Sequence, residues 1–190
     1  GLVVCFYSGD FVDYIKSLDV YVKGKKVKIT DPASAKKHNI AFLTEDRKIE
    51  GLTLDFTVKA NIVAANLPAI RKGIFNNNKI ENATADNYIA RTRIKTPHRN
   101  QKVGNLSGGN QQKVIIGRWL ATNPKILIMD EPFVGLDPKA IFDLKEVMQK
   151  IIKNGGTVFF STHILDVAEK LCTRVAIIKN GKLVEVGEME

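Results

Sequence analysis

Three short runs in this 190-residue chain carry side chains suited to phosphate chemistry. Ser107-Gly108-Gly109 stands directly ahead of a helical stretch. A hydroxyl and two bare glycines at a helix N-terminus offer N–H groups and a positive dipole end to an anion. The apolar run Ile126-Leu127-Ile128-Met129 ends in the adjacent carboxylates Asp130 and Glu131, followed by Pro132. In phosphoryl transfer one carboxylate holds magnesium, usually through water, while the next positions or deprotonates the attacking water. Ser161-Thr162-His163 closes a third apolar run, where a His can hydrogen-bond a terminal phosphate and the water-activating Glu. Gly135-Leu136-Asp137 reads as a contact loop, as the N-cap of the helix beginning at Pro138, or as both.

Each run alone has an ordinary alternative. Ser-Gly-Gly before a helix is common turn chemistry, Asp-Glu-Pro after a strand can be a plain turn, and a His at a strand end is often a loop residue. The specificity lies in the ordered set of four. No G-x-x-x-x-G-K-[ST] occurs anywhere in the sequence, although that loop is the usual backbone cradle for nucleotide phosphates.

The elements that must carry these residues alternate. Gly108 to Ala121 reads as a helix with Ser107 as N-cap, and Lys125 to Met129 as a buried strand. Asp137-Pro138 opens a helix whose Ile141, Leu144, Val147, Met148 and Ile151 follow helical spacing, and Gly155-Gly156 ends it. Thr157–Ser161 is the next strand, Ile164 to Cys172 a helix, and two last strands flank the tight-turn pair Asn180-Gly181. Nearer the start, Gly1 to Tyr7 reads as a strand, Phe11 to Leu18 as a short helix, and Tyr21 to Ile29 as two short strands. Asp31-Pro32 starts another helix, and Ile40–Leu43 is a compact apolar strand. Residues 52 to 105 differ in texture, with helical patterns over Thr57–Asn66 and Lys79–Thr92 around an Asn-rich turn. The expected fold is α/β, a mainly parallel sheet with helices on both faces and an inserted helical subdomain. Its core is residues 1–51 and 106–190; the subdomain is 52–105.

Composition sets bounds. The chain is 44% hydrophobic and 26% charged, as soluble globular chains are. No apolar run approaches the roughly 20 residues of a membrane helix. The net charge of +9 is spread along the chain without a dense basic block, so no nucleic-acid partner is expected. Cys5 and Cys172 sit in apolar settings and read as buried free thiols. From Gly1 in place of Met, the chain is expected to be a fragment or a processed piece of something longer.

The ordered set resembles the nucleotide-binding domain of an ABC transporter across nearly the whole chain. Asn39 to Leu52, with Glu45-Asp46-Arg47-Lys48-Ile49-Glu50-Gly51-Leu52, looks like the second ATPase half of monosaccharide importers. So does Leu106-Ser107-Gly108-Gly109-Asn110-Gln111-Gln112-Lys113, with Asn110 in place of the more usual Gln. Asp130 to Pro138 and Phe159 to His163 look more like the ATPases of ABC-2-type exporters.

The resemblance implies a P-loop NTPase-like (RecA-like) core, with ATP and Mg2+ as cofactors. Glu131 and His163 would be catalytic, and Asp130 and Glu45 would hold the metal through water, Glu45 at the Q-loop position. Ser107, Gly108, Gly109, Asn110 and Gln111 form the signature that serves a partner's ATP, and Gly135, Leu136 and Asp137 form the D-loop. The Walker A loop is missing: the first strand runs into Ser8-Gly9-Asp10, with no Lys and with an acid that would repel phosphate. The implied partners are a second ABC ATPase domain, head to tail, and transmembrane permease subunits at the cytoplasmic face of the membrane. The implied function is ATP hydrolysis coupled to monosaccharide import. The alternatives are an ABC-2-type exporter ATPase and a nucleotide-deficient half that only completes a partner's site.

Overall fold

The computed structural model describes residues 2–6, 20–22, 24–44, 51–72, 75–179 and 182–189. The expected helix over Phe11–Leu18, the Ser8-Gly9-Asp10 turn, Glu45 and the Asn180-Gly181 turn lie outside them.

The chain opens with β1 (Leu2–Phe6), then the hairpin β2 (Val20–Val22) and β3 (Lys25–Val27). Gly24 in that hairpin has φ +75°, a left-handed value that costs glycine nothing. Helix α1 (Pro32–Lys37) begins as its sequence dictates: Asp31 accepts from Ser34 N–H at 2.8 Å and Ser34 Oγ returns to the Asp31 N–H, a capping box. Strand β4 (Ile40–Leu43) follows. Helix α2 (Val58–Val63) is capped by Thr57, runs into a 3-10 turn at Ala64–Asn66, and is succeeded by the short α3 (Leu67–Ile70). The Asn-rich stretch holds a two-residue hairpin, β5 (Arg71–Lys72) with β6 (Phe75–Asn76). Asn77 then caps α4 (Asn78–Arg91), accepting from the N–H groups of Lys79 and Ile80. The remaining elements are α5 (Gly108–Leu120), β7 (Ile126–Met129), α6 (Pro138–Lys153), β8 (Thr157–Ser161), α7 (Leu165–Leu171), β9 (Arg174–Lys179) and β10 (Lys182–Glu188).

Six strands form one sheet in the order β10-β9-β1-β8-β7-β4. β1 pairs in parallel with both β8 and β9, β7 is parallel to β8, and β10 closes the edge antiparallel to β9. The mainly parallel sheet read from the alternation of elements is therefore present. Its strands are apolar on both faces: Leu127, Met129, Val158 and Phe160 are buried on one side of the alternation, while Ile128 and Phe159 pack against Ala176 and Ile178 on the other. Burying Phe160 alone is worth about 2–3 kcal/mol.

The chain packs as two compact units. One comprises Gly1–Phe42, Pro124–Pro132 and Ile151–Glu190 and holds most of the six-stranded sheet. The other comprises Leu43–Asn123 and Phe133–Lys150 and is helical. In the helical unit Gly117 of α5 meets Tyr88 of α4 and Ile62 of α2, and Arg118 donates to the backbone and side-chain oxygens of the buried Asn61. On α6 the buried stripe is Ala140, Leu144, Val147, Met148 and Ile151; Ile141 is only half-buried, and Asp143 is buried beside that stripe.

Candidate nucleotide sites

The sheet unit gathers one set of predicted residues. Strands β7 and β8 run parallel with Met129 opposite Phe160, so the next residues, Asp130 and Ser161, emerge together at the C-terminal edge. Ligands of parallel sheets bind at that edge. Ser161 Oγ donates to Asp130 Oδ1 at 2.5 Å and accepts from the Glu131 N–H at 2.9 Å. One hydroxyl thus holds both acidic positions. Glu131 has φ +40°, a backbone region that costs an L-residue roughly 1–2 kcal/mol. That kink turns its side chain to His163, whose Nδ1 lies 2.8 Å from Glu131 Oε1. Glu131 is 17% exposed and His163 64%, so the pair joins a sheltered carboxylate to an open imidazole. Glu131 Oε2 is buried without a hydrogen-bond partner. A carboxylate hydrogen-bonded to an imidazole is a pairing that general acid–base chemistry uses.

The carboxyl of Asp130 is pushed above the usual range by burial; the Ser161 hydrogen bond opposes this, and the neighbouring charge of Glu131 adds to it. Among the described residues no group of three or more His, Cys, Asp or Glu could form a metal cage. Hard carboxylate oxygens suit magnesium, which takes one or two carboxylates and completes its shell with water and phosphate. The Asp130 carboxylate fits that donor set.

The helical unit gathers the other set. Ser107 is the N-cap of α5 by backbone, yet its side chain caps nothing. Its Oγ accepts instead from Asn110 Nδ2 at 2.9 Å, and Asn110 Oδ1 accepts from the Lys95 N–H at 2.7 Å. Gly109 is closely fitted: a Cβ there would lie 3.3 Å from both Ala140 Cβ and Asp137 Oδ2, and those neighbours would have to give by a few tenths of an ångström. Asp137 caps α6, accepting from the Ala140 N–H at 2.8 Å, and Gly135 before it turns at φ +66°. Leu136 is half-buried between them. Ser107, Gly109, Asn110 and Asp137 line one cavity of about 340 Å3 with Lys95, Lys113 and Lys139. Gln111 points elsewhere, buried and donating to the carbonyls of Val103 and Leu106.

Beneath this cavity Lys113 Nζ is 2.6 Å from Asp143 Oδ2, and Arg93 holds the other carboxylate oxygen at 2.9 Å. Arg93 also pairs with Glu146 at 2.7 Å, and its own carbonyl accepts from Lys113. Ser161 and this ion network are what sequence reasoning missed. The signal for Ser161 was strand register, since it precedes His163 by two residues on the strand beside Asp130. Lys113 and Asp143 carried no signal in sequence, being ordinary charges until two helices meet.

The ABC transporter family model matches residues 16–134. The chain belongs to the ABC transporter family. Among curated ABC proteins, it is 40% identical over 168 residues to the xylose import ATP-binding protein XylG of Thermoanaerobacter pseudethanolicus, covering 88% of this chain and 33% of that protein. It is 37% identical over 172 residues to the ribose import ATP-binding protein RbsA of Oceanobacillus iheyensis, covering 90% of this chain and 35% of that one. The chain therefore spans about a third of the length of these relatives. A solved bacterial ABC transporter cassette, dimeric in its structure, superposes on all of this chain and 85% of its own with a TM-score of 0.78 at 23% identity. The fold is that of an ATP-binding cassette. Among the described residues no helix is long and apolar enough to cross a membrane.

Proposed function

We propose that the chain is an ATP-binding component of a monosaccharide importer, working beside a second ABC cassette and against membrane-embedded permease subunits on the cytoplasmic face. The observation that carries the catalytic reading is the Asp130–Ser161–Glu131–His163 cluster at the edge of the parallel sheet. The sugar assignment is supported by relatives named for xylose and ribose import.

In this reading Asp130 would hold magnesium through water, with Glu45 as the second metal residue. Bound magnesium would neutralise charge developing on the phosphate oxygens. Glu131 orients and deprotonates the attacking water, while His163, bonded to Oε1, fixes that carboxylate and reaches the terminal phosphate. Ser107, Gly108 and Gly109 serve a partner's ATP, with Asn110 and Gln111 completing the signature and Gly135, Leu136 and Asp137 contributing the D-loop. The division into a core of 1–51 and 106–190 and a helical subdomain of 52–105 belongs to the same proposal. Because the sequence holds no G-x-x-x-x-G-K-[ST], the partner must bring the phosphate cradle of the site that Ser107 completes.

Sedimentation of the chain mixed with a cassette chosen for carrying that loop tests the pairing. ATP is predicted to drive a one-to-one complex that Ser107→Arg abolishes. Association indifferent to ATP, or unchanged by Ser107→Arg, would overturn the reading.

A further inference from the structure

We infer that Asn110 is a positioning residue that fixes the Ser107 hydroxyl as a one-way donor to phosphate, an inference that rests on the trans-site reading above. Serine at a helix N-cap ordinarily spends its oxygen on an N–H of the first turn. Ser107 does not: no side chain caps α5, and the Ser107 oxygen takes its hydrogen bond from Asn110 Nδ2 instead. The Ser107 side chain therefore takes none of the first-turn N–H groups as its donor.

The direction of this bond follows from chemistry. A backbone N–H can only donate, so the Lys95 N–H, 2.7 Å away, requires the oxygen of the Asn110 amide to face it. The amide nitrogen must then face Ser107, where it can only donate. Ser107 Oγ is thus an acceptor toward Asn110, and its own proton has to point elsewhere. The cavity that Ser107, Gly109 and Asn110 line is also lined by Lys95, Lys113 and Lys139 against the single acid Asp137, a predominantly basic surrounding that suits an anion.

The relay is anchored by ion pairs. Lys95 lies two residues after Arg93, which sits at φ +54° with its guanidinium on Asp143 and Glu146 of α6 and its carbonyl accepting from Lys113 of α5. The relay therefore runs from that ion network through the Lys95 backbone and the Asn110 amide to the Ser107 proton.

The test is a double-mutant cycle with two readouts. In the isolated chain, Hα–Hβ NMR couplings of Ser107 report one χ1 rotamer in the native protein and averaging in Asn110→Ala. In the mixture with a loop-bearing cassette, the ATP concentration for half-maximal pairing is expected to rise roughly tenfold for Ser107→Ala and for Asn110→Ala, the scale of a hydrogen bond to a charged group. The double variant is expected to be no worse than Ser107→Ala. Multiplicative losses, or a Ser107 rotamer indifferent to Asn110→Ala, would overturn the positioning role. Ser107→Ala without effect would overturn the trans-site reading itself. An unchanged urea midpoint for Asn110→Ala establishes that the helix is still folded when these comparisons are made.

Discussion

Replacing Lys113 by Met separates the ion network from the helix packing around it. Met keeps the apolar stem of Lys113 and removes only the ammonium, which lies 2.6 Å from Asp143 Oδ2 with side-chain exposures of 10% and 5% for the two residues. Deleting one member of a buried pair costs about 3–5 kcal/mol, because the survivor keeps its charge without compensation. Arg93 still holds Asp143 Oδ1 at 2.9 Å, so the loss falls at the low end, about 3 kcal/mol. For a chain of this size that is a fall of roughly 6–12 °C in Tm. Urea unfolding followed by Trp119, the single tryptophan and a residue of α5, measures it directly. The double variant Lys113→Met with Asp143→Leu should recover most of the loss, since the buried charge goes with its partner. The pH dependence supplies a second check. Burial alone would raise the Asp143 carboxyl, but the hydrogen bonds and charges of Lys113 and Arg93 outweigh it and hold the group below its ordinary range. A carboxyl lowered in the folded state adds stability above its unfolded pKa, about 4, and loses it as pH falls through the folded value. Lys113→Met should therefore flatten the acid limb of the stability curve. A Lys113→Met protein within about 0.5 kcal/mol of native would mean that the Lys113–Asp143 pair does not stabilise the fold.

Two further predictions concern the sheet edge. Ser161→Ala removes the hydroxyl shared by Asp130 and the Glu131 N–H, and should lower stability by about 1–3 kcal/mol in urea unfolding. Asp130→Asn should raise Tm at pH 7: the carboxyl is held above its ordinary range, mainly by burial, so its contribution to stability declines as pH rises from the unfolded pKa through the folded one. That advantage should close in thermal scans below about pH 4, where the native Asp130 is also protonated.

The sequence already spelled out much of the arrangement. The Asp31-Pro32 cap, the Asp137 cap of α6 and the alternation behind a mainly parallel sheet follow from local rules, and all are present. Asp130, Glu131 and His163 were legible because each ends or follows an apolar strand, and parallel pairing of β7 and β8 brings strand ends together. The rest needed three-dimensional register. Ser161 holds both acidic positions only because it lies one residue beyond the Met129–Phe160 pairing, and a two-residue hairpin at 71–76 is too short to show as a period. Ser107 is the N-cap of α5 as read from sequence, but its side chain bonds the Asn110 amide, oriented by a distant backbone N–H, and not the first turn. No local propensity carries that information.

Completion of a partner's ATP site through Ser107 is best measured as ATP turnover by the chain paired with a loop-bearing cassette whose own signature serine is replaced by arginine. Turnover is expected with the native chain and is lost with Ser107→Arg. Equal turnover with both chains would mean that Ser107 completes no such site.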